Sequence, residues 1–150
     1  MQGYPLAAII KNFFSVVMGV GVSLFILMAL FPLFIFLTDT LLPTDDYGIF
    51  SPGATGSAAA FLLMIWIYLF IAGFTGGFAC ATISTRKDKI HTTIAGLVLG
   101  CLFVLSYNQD IGGYYYNEFW DKRIFTWGNP LIVLLAVYTG GLAGSWLKKK

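Results

Sequence analysis

Charged residues are scarce in this chain of 150 residues, and four long stretches contain none. Asp, Glu, Lys and Arg together make up 11% of the sequence, whereas hydrophobic residues make up 58%. The uncharged stretches are residues 13–37, 58–83, 92–107 and 131–147. A helix needs about 20 predominantly apolar residues to cross the hydrocarbon core of a bilayer. The pattern predicts an all-α integral membrane protein, a single four-transmembrane-helix bundle built from two helical hairpins.

The missing charges also bear on function. A charged side chain at the centre of a membrane helix costs at least about 2.5–3.5 kcal/mol, so proteins keep one there mainly where transport or proton transfer needs it. The four stretches keep none, and we therefore do not expect a proton-coupled carrier. A pathway for a neutral solute is not excluded, because hydroxyl groups can line one. The candidate lining residues are Tyr68, Thr75, Thr82, Tyr138 and Thr139.

Cysteine and histidine are rare as well. Cys80 and Cys101 lie within the apolar stretches, where a thiol behaves as a small apolar side chain, and two such residues predict no disulfide framework. A single histidine, His91, cannot supply both axial ligands of a bis-histidine haem. The sequence contains no Gly-x-Ser-x-Gly, His-Glu-x-x-His or glycine-rich phosphate loop. We therefore predict no cofactor, no metal, no catalytic residue and no nucleic-acid partner.

Basic residues concentrate at alternate ends of the predicted helices. Seven of the nine Lys and Arg residues lie there: Lys11 before the first stretch, Arg86, Lys87 and Lys89 between the second and third, and Lys148, Lys149 and Lys150 at the end of the chain. The other two, Lys122 and Arg123, lie in the third connection with Asp110, Glu118 and Asp121. The first connection carries only acidic charges, Asp39, Asp45 and Asp46. Lys and Arg are enriched in cytoplasmic loops. We therefore predict a cell inner (cytoplasmic) membrane protein with both termini in the cytoplasm.

Small residues recur at a spacing of four along all four stretches. Residues four apart share a helix face, and glycine on that face lets another backbone approach closely. The predicted helix-packing interface consists of Gly19, Gly73, Gly77, Gly96, Gly100, Gly140 and Gly144, with Ser15 and Ser23 flanking the first of them. We expect this interface to pack the bundle itself, or to contact a second copy or another subunit.

Two polar regions are candidate contact surfaces. At the predicted cytoplasmic face, Arg86, Lys87, Lys89 and His91 are placed to contact anionic lipid headgroups, although orientation by positive charge alone also explains the basic residues. At the other face, the last connection is aromatic, and Tyr and Trp favour headgroup depth. The predicted outer docking surface consists of Tyr114, Tyr115, Tyr116, Phe119, Trp120 and Trp127. Residues 117–125 are predicted to form a short helix on the membrane surface.

A short sequence repeat occurs in the second and fourth stretches. Residues 74–79 read Phe-Thr-Gly-Gly-Phe-Ala, and residues 138–143 read Tyr-Thr-Gly-Gly-Leu-Ala. Both segments run in the same direction through the membrane in the predicted topology. A parallel duplication of a hairpin is one explanation, and chance recurrence of glycine pairs in apolar helices is the other.

These observations favour a non-catalytic integral membrane protein, an accessory or structural subunit that packs in a larger membrane complex. Its predicted partners are membrane lipids and either other integral membrane subunits or copies of itself. One alternative is a small oligomeric transporter or channel for a neutral or lipidic solute. The other is an outer-face enzyme that modifies lipids, in which Glu118 and Asp121 would act on a headgroup.

Overall fold

A computed structural model describes residues 6–41, 55–84, 89–108 and 122–148. These residues form four helices, α1 (Leu6–Leu41), α2 (Thr55–Ile83), α3 (Lys89–Asn108) and α4 (Lys122–Leu147). The all-helical prediction is thus confirmed for the described part of the chain. A helix satisfies every backbone hydrogen bond within its own segment, which a long apolar run in lipid requires.

Three of the four helices are long and apolar enough to cross a membrane. Their apolar spans are Leu6–Leu37 in α1, Leu62–Ile83 in α2 and Trp127–Leu147 in α4. The apolar stretch of α3 among the described residues, Ile90–Leu102, is shorter. The chain is therefore a membrane protein with three helices of spanning length and a fourth, shorter apolar helix packed against them.

The helix ends differ most from the predicted stretches at the starts of α1 and α4. α1 begins at Leu6, before Lys11. α4 begins at Lys122 and includes Pro130, since neighbouring helices and local adjustments allow proline inside a membrane helix. Residues 122–125 therefore belong to α4, and the prediction that they end a separate surface helix was wrong.

The order of the helices around the bundle differs from their order in the sequence. α2 packs against α1 and α4, α3 packs against α4 and α1, and the contact between α2 and α4 is the most extensive. α2 and α3 also contact each other across the bundle. In the described ranges, α1 and α4 do not touch. The order around the bundle is therefore α1, α2, α4, α3, and the two hairpins meet mainly through their second helices.

The interior is built from small side chains. The largest side chains that are completely buried are Ser15, Ser23, Cys80, Leu99 and Val137. Most of the large apolar side chains point outward instead. Lipid tails are as apolar as leucine, so an outward-facing phenylalanine carries no penalty, and helix association depends on close packing. The fold consequently depends on how closely the helix backbones approach each other.

Candidate functional site

Helices α2 and α4 are in direct backbone contact along a line of glycines. A Cβ atom added at Gly77 would meet the carbonyl of Val137, and one added at Gly140 would meet the carbonyl of Phe74. Both would be closer than Cβ atoms approach in real structures. Only glycine fits at these two positions while the helices stay at this separation.

The same contact continues towards both ends of the interface. A Cβ atom at Gly73 would lie 2.8 Å from the Cβ of Ala136. One at Gly144 would lie 2.9 Å from both the Cβ of Ala81 and the carbonyl oxygen of Phe78. Four of the seven glycines singled out in the sequence therefore line one interface, between α2 and α4.

The contact between α1 and α2 uses a glycine that the spacing of four did not select. A Cβ at Gly19 would lie 2.7 Å from the Cβ of Cys80, and one at Gly76 would collide with the Oγ of Ser23 and the carbonyl of Gly19. In the sequence, the adjacent pair Gly76-Gly77 could have indicated a second glycine contact, because adjacent residues on a helix face different neighbours. Gly76 therefore packs on α1 while Gly77 packs on α4.

Gly96 and Gly100 of α3 behave differently from the other five predicted glycines. A Cβ at Gly96 would lie 3.5 Å from the Cβ of Val137, and one at Gly100 would lie 3.7 Å from Pro130, both ordinary van der Waals distances. The tight contact between α3 and α4 lies instead at Gly141, where a Cβ would lie 2.5 Å from the Cγ2 of Thr92. Thr92 is buried between the two helices.

The two copies of the sequence repeat, in α2 and α4, use their glycine pairs in the same way, with each glycine of a pair packing on a different neighbouring helix. Gly76 packs on α1 and its counterpart Gly140 packs on α2, whereas Gly77 packs on α4 and its counterpart Gly141 packs on α3. Around the bundle the helices follow the order α1, α2, α4, α3. In both α2 and α4, the first glycine of the pair faces the helix before its own in this order, and the second glycine faces the helix after it. If a two-fold axis related α2 to α4, the corresponding glycines of the two helices would both lie on the interface between α2 and α4.

Four of the five hydroxyl groups considered for a solute pathway donate to backbone carbonyls of helices. Thr75 and Thr139 each donate to carbonyls three and four residues earlier in their own helix, and Thr82 donates to a carbonyl three residues earlier. Tyr68 donates to the carbonyl of Leu27 in α1. These hydroxyls satisfy or link helix backbones, so the contacts do not favour a polar pathway through the bundle.

Basic residues from both ends of the chain lie at one end of the bundle. Lys148 follows α4 and donates to the carbonyl of Ser84 at the end of α2. Burial, and next the charge of Lys11, lower the pKa of Lys148. α1 therefore begins at the end of the bundle where α2 and α4 finish.

The other predicted contact residues fall partly outside the described ranges. Arg86 and Lys87 lie outside them, whereas Lys89 begins α3. His91 lies in the first turn of α3, and its Nδ1 is buried with no hydrogen-bond partner among the described residues. Of the outer docking surface, the residues outside the described ranges are Tyr114, Tyr115, Tyr116, Phe119 and Trp120. Trp127 lies within α4, where it is exposed.

Within the described ranges, no group of three or more His, Cys, Asp or Glu side chains is placed to hold a metal ion. The comparisons with known proteins identify no relative: no protein-family model, curated protein or solved structure matches this chain. The candidate functional site is therefore defined by geometry alone. It consists of the glycine interfaces inside the bundle and the outward surfaces that they leave uncovered.

Proposed function

We propose that this protein is a non-catalytic multi-pass membrane subunit that packs against a partner in a larger membrane complex. The observation that supports this most is the position of α1. In an 18-residue apolar stretch of α1, 6% of the residues are buried in the bundle, compared with 28% in the corresponding stretch of α2 and 33% in that of α4. The fully buried residues of α1 form a narrow line, Ser15, Gly19 and Ser23.

The outward surface of α1 has the composition of a protein interface. Its side chains more than half exposed include Phe13, Phe14, Phe25, Met28 and Phe31. Lipid can cover these side chains, but phenylalanine and methionine are also enriched where proteins meet, and methionine adapts its shape to irregular partners. A partner helix laid along α1 would bury an apolar surface that the bundle leaves open.

The proposal includes a topology in which all four helices cross the inner membrane and both termini are cytoplasmic. α2 and α4 run parallel, so the chain must return across the bundle between them, and α3 provides that crossing. The end of the bundle with Lys11 and Lys148 would face the cytoplasm, because basic residues concentrate on that side.

Impermeant thiol labelling tests the topology. A cysteine introduced by Asp45→Cys should react with a membrane-impermeant maleimide in intact spheroplasts, because its connection is predicted outside. One introduced by Lys87→Cys should react only after lysis. The unsubstituted protein serves as the control for the two native cysteines, Cys80, which is buried, and Cys101, which is exposed on the apolar helix α3. Labelling of Lys87→Cys in intact spheroplasts would contradict the proposed orientation.

Site-specific photo-crosslinking in membranes of the native host tests the partner. A photoreactive phenylalanine analogue at Phe25 of α1 should form a discrete adduct with another protein. The matched control is Leu97 of α3, also in the middle of a helix and about half exposed, which should form adducts only with lipid.

Three outcomes would count against the partner. Lipid adducts alone at Phe25 would leave α1 as an ordinary lipid-facing helix. A covalent dimer of this chain would replace the partner with self-association. Solute flux in liposomes that contain only the purified protein would favour the transporter alternative over the accessory role.

A further inference from the structure

A chain of contacts brings Lys11 and Lys148 to the same corner of the bundle. Lys148 donates to the carbonyl of Ser84, whose amide in turn donates to the carbonyl of Cys80 over 3.1 Å. The Sγ of Cys80 lies 3.9 Å from the Oγ of Ser15. Ser15 is one helical turn from Lys11 and shares its face of α1. Two ammonium groups from opposite ends of the sequence therefore flank the end of α2.

No carboxylate of the described helices is near enough to neutralise these two lysines. The described ranges contain a single acidic residue, Asp39, near the opposite end of α1. In the connection outside those ranges, Asp88 is outnumbered by Arg86, Lys87 and Lys89. The corner thus carries an excess of positive charge. Partial burial, and next the neighbouring charge of Lys11, lower the pKa of Lys148.

The surface next to this corner is apolar and exposed. Phe14, one turn from Lys11, is 53% exposed, and Leu147, adjacent to Lys148, is 51% exposed. A ligand here would meet positive charge on its outer side and exposed apolar side chains on its inner side. That combination matches a phospholipid, whose phosphate is at headgroup depth and whose acyl chains extend into the membrane.

We propose that Lys11 and Lys148 together bind the phosphate of an anionic phospholipid, with Phe14 and Leu147 against its acyl chains. The sequence indicated headgroup contacts only for the basic connection and His91, because Lys11 and Lys148 are far apart along the chain. A phosphate bound here bridges α1 and α4, which make no contact with each other in the described ranges. The lipid therefore links α1 to α4 directly, in addition to the contacts of α1 with α2 and α3.

Lipid titration by native mass spectrometry tests the site, with phosphatidylglycerol and phosphatidylcholine of identical acyl chains. Lys11→Gln and Lys148→Gln are each expected to weaken phosphatidylglycerol binding about fivefold, since one basic residue at an anionic surface contributes roughly that factor. Phosphatidylcholine binding should not change. Lys149→Gln removes the same charge one residue further on and should change phosphatidylglycerol binding less than twofold.

A second measurement distinguishes a lipid site from a general anion site. Phosphatidylglycerol should raise the thermal unfolding temperature of the unsubstituted protein in detergent and of the conservative variants Lys11→Arg and Lys148→Arg. It should not raise that of the double glutamine variant. Equal phosphatidylglycerol binding by the double variant and the unsubstituted protein would overturn the site. Equal stabilisation by water-soluble glycerol phosphate would overturn its assignment to a lipid.

Discussion

Gly77→Ala and Gly140→Ala are each expected to force α2 and α4 apart and to destabilise the bundle strongly. The added methyl group would meet the backbone carbonyls of Val137 and Phe74, respectively. A carbonyl inside a helix cannot rotate away as a side chain can, so one whole helix must move. Overpacking a well-packed core typically costs about 1–3 kcal/mol, and we expect the upper part of this range or beyond.

Thermal unfolding of the detergent-solubilised protein, followed by circular dichroism and by size-exclusion chromatography, measures this loss. Gly21→Ala in α1 is the matched control, because no atom lies within 4 Å of the position of its Cβ. Gly100→Ala is the second control, with ordinary contacts to Pro130. Neither is expected to destabilise the protein, because alanine has a higher helix propensity than glycine, by about 1 kcal/mol in a helix interior. A loss at Gly100 equal to that at Gly140 would show that the α2–α4 interface is not the tight one.

Gly76→Ala is expected to separate α1 from α2 with a loss of similar size. Its methyl group would collide with the Oγ of Ser23 and approach the carbonyl of Gly19. Ser23 is 1% exposed, and its hydroxyl has no hydrogen-bond partner among the described residues. Because removing an unpartnered buried hydroxyl costs little or even stabilises a protein, Ser23→Ala alone should be neutral or mildly stabilising.

The double variant Gly76→Ala with Ser23→Ala makes this prediction specific. Removing the Oγ relieves the closest of the collisions, whereas the carbonyl of Gly19 remains, so a partial recovery is expected. A double-mutant cycle on the unfolding free energies isolates this coupling. Strictly additive losses would mean that Gly76 and Ser23 do not meet across the α1–α2 interface.

Much of the architecture was predictable because it depends on local composition. Uncharged apolar runs in lipid form helices whatever their neighbours, and three runs proved long enough to span a membrane. The helix ends were less predictable. The last uncharged stretch begins at residue 131, yet α4 begins at Lys122 and continues through Pro130, since contacts with neighbouring helices compensate for the missing backbone donor.

The candidate site was predictable only as a list of residues. Spacing placed Gly77, Gly100 and Gly140 in one class, because the sequence shows which residues share a face but not what that face meets. In the structure Gly77 and Gly140 meet a backbone carbonyl, whereas Gly100 has ordinary contacts. The spacing of four did not select Gly76, because it is the adjacent Gly77 that lies four residues after Gly73.

The sequence by itself determined that this chain is helical and belongs in a membrane, because both properties follow from the length and polarity of continuous segments. Only the tertiary structure decided that α2 and α4 form the central pair, that α1 stays largely uncovered, and that Lys11 lies close to Lys148. Those properties depend on which helix faces meet across the bundle. Helix rotation and neighbour choice are set by close contacts between residues far apart in the chain, which no local pattern records.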